Sequence, residues 1–96
     1  MPKGYFVVAH RSKVNVESRD EYLKIASPAI LAVGGKILAS NDKVFAYENG
    51  LVERVVLVEF VSFEVAIKFY NSQEYQKALD LLKDSADRDF RIIEGI

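Results

Sequence analysis

The chain has no cysteine and no tryptophan, and only one histidine, one methionine and two prolines in 96 residues. Without cysteine there is neither a disulfide framework nor thiolate chemistry. A lone His10 is too little for a zinc site, which combines several His or Cys ligands, so no metal is expected. One histidine suffices to ligate a haem, but nothing else in the sequence supports one, and no cofactor is expected. Net charge is small as well. Thirteen Lys and Arg against fourteen Asp and Glu leave −1, with no concentrated basic face of the kind nucleic acid demands. No apolar run approaches a transmembrane length. The opening Met1-Pro2-Lys3-Gly4-Tyr5 carries a charge but no apolar stretch of signal-peptide length. A cytoplasmic protein that engages neither membrane nor nucleic acid is the expectation.

What is present is a globular composition, half hydrophobic and 28% charged, in a chain short enough for a single domain over 1–96. The run Arg54-Val55-Val56-Leu57-Val58-Glu59-Phe60 is apolar at odd and even positions and reads as a strand covered on both faces. Residues 5–10 make a similar first strand. Ser18 followed by Glu21 predicts a capping box, opening a helix with Tyr22, Ile25, Ala26, Ala29, Ile30 and Val33 on one stripe. Pro28 is expected to bend that helix, and Gly34-Gly35 to end it. Residues 36–40 form a second strand, kinked at Asn41-Asp42 and continuing over 43–48. Asn49-Gly50 predicts a type I′ hairpin into a central strand at 52–60. Ser62 and Ser72 cap a helix broken or bent at Asn71-Ser72, turning Phe63, Ala66, Ile67 and Tyr70, then Tyr75, Ala78, Leu79 and Leu82, inward. A polar turn at 84–89 leads to a last strand at 90–94.

This order is β-α-β-β-α-β, an α+β ferredoxin-like arrangement. It has a four-stranded antiparallel sheet in the order 4-1-3-2 and two helices on one face. The helices leave the other face bare, although Tyr5, Val7, Ala9, Val55 and Leu57 oppose Phe6, Val8, Val56, Val58 and Phe60. Leaving several such side chains wet would cost roughly 1.5–3 kcal/mol each. A homodimer through the sheet face is therefore expected.

A set of residues points further: Lys3-Gly4-Tyr5 opening a strand, Tyr22, Gly34-Gly35, the 54–60 run with Ser62, Phe69-Tyr70-Asn71-Ser72-Gln73-Glu74-Tyr75-Gln76, and the terminal Glu94-Gly95. Together they resemble the domain-of-unknown-function family 1330 of the dimeric α+β-barrel superfamily, from about Lys3 to Gly95. Val61, where relatives often carry proline, and Phe69, where tryptophan is frequent, depart from that pattern. The resemblance implies the ferredoxin-like fold and the dimer, and no particular reaction.

The topology gathers His10, Arg11, Arg54 and Arg91 at one end of the sheet with a helix N-terminus. A small anionic or aromatic compound would suit such an end, with Tyr22, Tyr70 and Tyr75 as walls. The plainer alternative makes His10 a satisfied strand-end residue, Arg54 an ion-pair partner and the tyrosines core. Glu59, an acid in an apolar strand, suits a general acid or base if unpaired. The plainer reading makes it a partner for Lys3 or a capping carboxylate. His10 and Glu59 are thus the catalytic candidates, and Tyr22, Arg54, Tyr70 and Tyr75 the ligand-binding ones. A small-molecule-binding homodimer follows, either a cofactor-independent isomerase- or monooxygenase-like enzyme or a non-catalytic metabolite- or protein-binding module.

Overall fold

The two apolar runs become the middle of a four-stranded antiparallel sheet in the computed structural model, which describes residues 2–11, 15–82 and 87–96. Strand β1 (Gly4–His10) lies between β3 (Val55–Phe60) and β4 (Arg88–Glu94), and β2 (Lys36–Asn41) pairs on the far side of β3. The order β2-β3-β1-β4 is the expected one read from the other edge. Phe6 stands opposite Val58 and Ile92, and Val8 opposite Val56 and Phe90. Directly opposite residues share a face, so these side chains form one apolar layer.

All the core lies on that layer's side. Helix α1 (Val16–Ala32) packs along α3 (Gln73–Asp80), while α2 (Phe63–Tyr70) seats on β1, β3 and β4. Phe6 is the hub. Its ring centroid is 4.6 Å from that of Phe60 and 4.7 Å from that of Phe90, with Phe69 and Tyr75 about a ring further out. The fold is ferredoxin-like, with three helices among the described residues. The second expected helix is in fact two, because Asn71 ends α2 and the Ser72 hydroxyl accepts from the Tyr75 N–H to start α3.

Several local expectations need correction. The N-cap of α1 is Asn15, whose side chain accepts from the Ser18 N–H at 3.1 Å. Asn caps as well as Ser, and the helix starts earlier, leaving Ser18 inside its first turn and Glu21 beside Lys24. At the other end the Gly35 N–H bonds the Ile30 carbonyl and the Gly34 N–H that of Leu31, with Gly34 at φ 79°. This left-handed stop matches expectation.

The irregularity in β2 is a register shift between Ile37 and Ala39, not a kink at Asn41-Asp42. Residues 43–48 are not a strand, and β3 begins at Val55, not Val52. Beyond Asn41 and Val55 the chain finds no ladder and no surface to cover: Phe45 is 89% and Tyr47 75% exposed. The turn there is closed by the Gly50 N–H on the Tyr47 carbonyl, with Glu48 and not Asn49-Gly50 at positive φ. On α2, Phe69 is buried where Ile67 was expected inward. Of the stripe expected on the first helix, Ile25 and Val33, the latter just past the end of α1, are exposed. Strand β4 starts two residues early, at Arg88. The polar turn expected at 84–89 lies partly outside the described residues.

The opposite face of the sheet carries Tyr5, Val7 and Ala9, Val55, Leu57 and Glu59, and Ile93 and Arg91. These side chains remain half-exposed or exposed in the protomer.

Candidate functional site

Because α1 rests on α3 and not flat on the strands, a cleft opens between its inner side, from Arg19 to Ile30, and the helix-covered face of the sheet. The cleft contains about 660 Å³ of space free of atoms, counting its open mouth. About 70 Å³ of this admits the centre of a water molecule. That interior is several times what one water needs. Its floor is apolar, made by Phe6, Val8, Val56, Val58 and Phe90, and its roof by Leu23, Ala26 and Ile30.

The polar residues at its rim are all cationic or neutral. His10 ends β1, and its backbone N–H bonds the Arg54 carbonyl at 3.0 Å. Strand register sets Arg88 of β4 directly opposite His10. Arg54 precedes β3, and Arg19 comes from the first turn of α1. No carboxylate lines the cleft among the described residues. Arg54 is answered from outside it, by Asp42 at 3.2 Å and the Ser40 hydroxyl at 2.8 Å. Neither Arg19 nor Arg88 has a carboxylate within ion-pairing distance among the described residues.

Arg88 is held by rings instead. Its guanidinium carbon lies 5.0 Å from the Phe90 ring centre and 5.6 Å from that of Tyr22, within range of cation–π attraction. Burial alone would lower its pKa, but the phenol oxygens of Tyr75 and Tyr22 beside it raise it overall. The two phenols share a hydrogen bond of 2.7 Å. Tyr75 is completely buried, and burial, then Tyr22, pushes its pKa up.

The electrostatics converge on His10. Burial lowers its pKa from the ordinary 6.5, and Arg88, Arg54 and Arg19 lower it further, with Asp42 opposing weakly. The ring is therefore neutral at pH 7. Its Nδ1 is sealed from solvent and has no hydrogen-bond partner among the described residues. An orphaned buried polar atom costs roughly 1–3 kcal/mol, so something the protein does not itself supply would be welcome there.

Of the residues singled out from sequence, His10, Tyr22, Arg54 and Tyr75 surround this one cleft. Tyr70 does not line it, and instead packs in the core against Phe90 at 5.0 Å. Glu59 is on the other face of the sheet, where it accepts from the Tyr5 hydroxyl at 3.3 Å and stands opposite Lys36. Arg11 and Arg91 also stay out, the first paired with Glu53 and Asp89 and the second with Asp89. Sequence reasoning missed Arg19 and Arg88. For Arg88 the signal was alternation: it is two residues before Phe90 and so shares its face.

With this geometry in place, comparison with known proteins gives a family. The model of the domain of unknown function DUF1330 matches residues 3–96. The chain belongs to the DUF1330 family. No curated protein matches it. Among solved structures it is similar to a protein of unknown function from Rhodopseudomonas palustris, with TM-score 0.73 at 12% identity, over 99% of this chain and 83% of that one. A dimeric ferredoxin-like protein of unknown function from Thermobifida fusca has TM-score 0.63 at 10% identity, with 97% and 91% covered. A candidate antibiotic biosynthesis monooxygenase from Caulobacter crescentus has TM-score 0.60 at 11% identity, with 99% and 91% covered. At such identities the likeness extends to the fold alone. Among the described residues of this DUF1330 chain no helix is long and apolar enough to cross a membrane, and no cluster of potential metal ligands occurs.

Proposed function

We propose that this DUF1330 protein binds a small organic anion with an apolar or aromatic body in the cleft beneath α1, and that it works as a homodimer joined through the bare face of its sheet. The observation that carries the ligand reading is the charge asymmetry of the cleft. Three guanidiniums and one imidazole face an apolar interior that no described carboxylate lines. A carboxylate group would offer acceptors to Arg88 and Arg19, while a ring or short chain would fill the space between Phe90, Val56 and Leu23. Charge-assisted hydrogen bonds of that kind are worth roughly 1.5–3 kcal/mol each.

The dimer reading draws on the half-exposed apolar residues Val7, Leu57 and Ile93, and on dimeric ferredoxin-like neighbours. A cofactor-independent enzyme, isomerase- or monooxygenase-like, is the catalytic form of the proposal. The Caulobacter neighbour and the unpartnered His10 nitrogen favour it. A non-catalytic metabolite- or protein-binding module is the rival, favoured by the neutralisation of Arg54 by Asp42.

The test is a melting-temperature screen against benzoate, phenylacetate and short 2-oxo acids, with the corresponding amides as uncharged controls. A ligand at 100 times its Kd stabilises by about 2.7 kcal/mol. At roughly 4–8 °C per kcal/mol for a domain of this size, that is a shift of ten degrees or more. Acids that raise the melting temperature where their amides do not support the proposal. A panel of acids without effect refutes it.

A further inference from the structure

We infer that the cleft catalyses proton transfer at the carbon next to the carbonyl of a bound 2-oxo acid, with His10 as the base and Arg88 facing the oxygen that becomes negative. This rests on the anion-binding reading above and goes beyond it by naming a reaction and a substrate class. Among the groups that line the site, one alone can serve as the base. Its titratable residues are His10, Arg19, Arg54, Arg88, Tyr22 and Tyr75.

Arginines have no lone pair with which to accept a proton and do not give theirs up. The Tyr75 phenol holds its proton firmly, through burial and then Tyr22, and the Tyr22 hydroxyl is engaged with it at 2.7 Å. Only the imidazole has a lone pair available. The cations around it are Arg88 on β4, Arg54 beside β3 and Arg19 on α1, and Tyr22 on α1 and Tyr75 on α3 line the same cleft. The Asp42 carboxylate stands behind Arg54. The surroundings thus keep His10 neutral until an anion arrives, and a guanidinium faces it across the strand pair.

The step balances without another reactant. The C–H bond adjacent to the carbonyl breaks and its proton goes to an imidazole nitrogen. The electron pair forms a C=C bond, and the carbonyl oxygen becomes an enolate oxygen beside the guanidinium. The imidazolium trades its proton with solvent and returns one to carbon, giving exchange, or delivers its proton to the enolate oxygen, giving tautomerisation. An apolar floor lowers the local dielectric and so strengthens the guanidinium–enolate attraction. A positioned general base contributes about 10²- to 10⁴-fold in rate.

The experiment uses phenylpyruvate and 2-oxobutanoate in deuterated buffer, with loss of the C3 proton signal followed by NMR. Saturable binding of each acid is measured in parallel, and free imidazole at equal concentration serves as the background. The expected result is exchange at least a hundredfold above that background, reduced to it in His10→Ala and in His10→Gln. The glutamine variant keeps a polar side chain, its melting temperature reports an intact fold, and its exchange rate is read at saturating phenylpyruvate. Bound acid without accelerated exchange overturns the inference and leaves the binding proposal standing. Exchange that survives in His10→Gln overturns it too. Absence of binding by either acid overturns it as well, and the binding proposal falls with it only if the wider acid panel is equally silent.

Discussion

Replacing Leu57 with Asp puts a charge in the middle of the sheet face that the helices leave bare, opposite Val7 on one side and Ala39 on the other. Its effect on the proposed dimer follows from the geometry. Fully burying a leucine is worth roughly 1.5–3 kcal/mol, and Leu57 is already mostly covered within the protomer, so at most about 1 kcal/mol per copy remains to be gained. A two-fold interface uses the same patch twice, which makes at most about 2 kcal/mol for the lost contact alone. Two carboxylates brought towards one apolar interface add several kcal/mol of desolvation and repulsion. The sum corresponds to a weakening of association by at least a thousandfold. Sedimentation velocity over a hundredfold concentration range reads this directly: the parent chain is expected to sediment as a dimer and Leu57→Asp as a monomer. The variant side chain lies across the sheet from the cleft, so any acid found by screening still binds each folded protomer. A parent chain that is monomeric at every concentration, or a variant with unchanged mass and melting temperature, refutes the reasoning.

Other consequences concern the core and the cleft. Phe6→Ala removes the ring that touches Phe60 and Phe90 and is expected to cost about 3–5 kcal/mol, seen as a lower urea midpoint. Gly4→Ala would set a Cβ 2.5 Å from the Ser62 carbonyl oxygen, a backbone clash expected to cost roughly 1–3 kcal/mol and read the same way. His10 has a folded pKa below its ordinary value, so the unfolded chain binds the proton first. The stability this provides is complete above about pH 6.5 and is lost as pH falls towards the lower folded value. Urea titrations between pH 5 and 8 are expected to show less slope in His10→Gln than in the parent, and equal slopes would contradict the assignment.

The sheet was legible because its central strands are apolar on both faces, which leaves few alternatives for Val55 to Val58 or for Phe6 to Val8. The segment between β2 and β3 was misread for a related reason. Phe45, Tyr47, Leu51 and Val52 carry the residue types of strands, but a strand also needs a neighbour, and composition does not say whether one is in reach. The first helix was placed late because Ser18 and Glu21 satisfy a capping pattern that Asn15 satisfies sooner.

Half of the cleft was visible in the same way. His10 and Arg54 are brought together by pairing of β1 with β3, which the order of elements already dictates. Arg88 and Arg19 depend on where β4 begins and on the rotation of α1, quantities that shift by a residue or two without disturbing any apolar pattern. Glu59 drew notice as an acid among valines. Alternation puts it with Val55 and Leu57, and only the position of the helices decides that this is the face away from the cleft.

The central claim is that Arg88 and its neighbours hold an anion beneath α1, and the most direct measurement compares two arginines of one strand. Arg88 faces the cleft and Arg91 faces the opposite side, next to Asp89. Calorimetric titration with phenylacetate, or whichever acid the screen ranks first, is to be run on the parent, Arg88→Ala and Arg91→Ala. Loss of one charge-assisted contact predicts a Kd weakened about ten- to a hundredfold in Arg88→Ala and unchanged within twofold in Arg91→Ala. Equal affinities in all three proteins, or a larger loss in Arg91→Ala, would contradict the account.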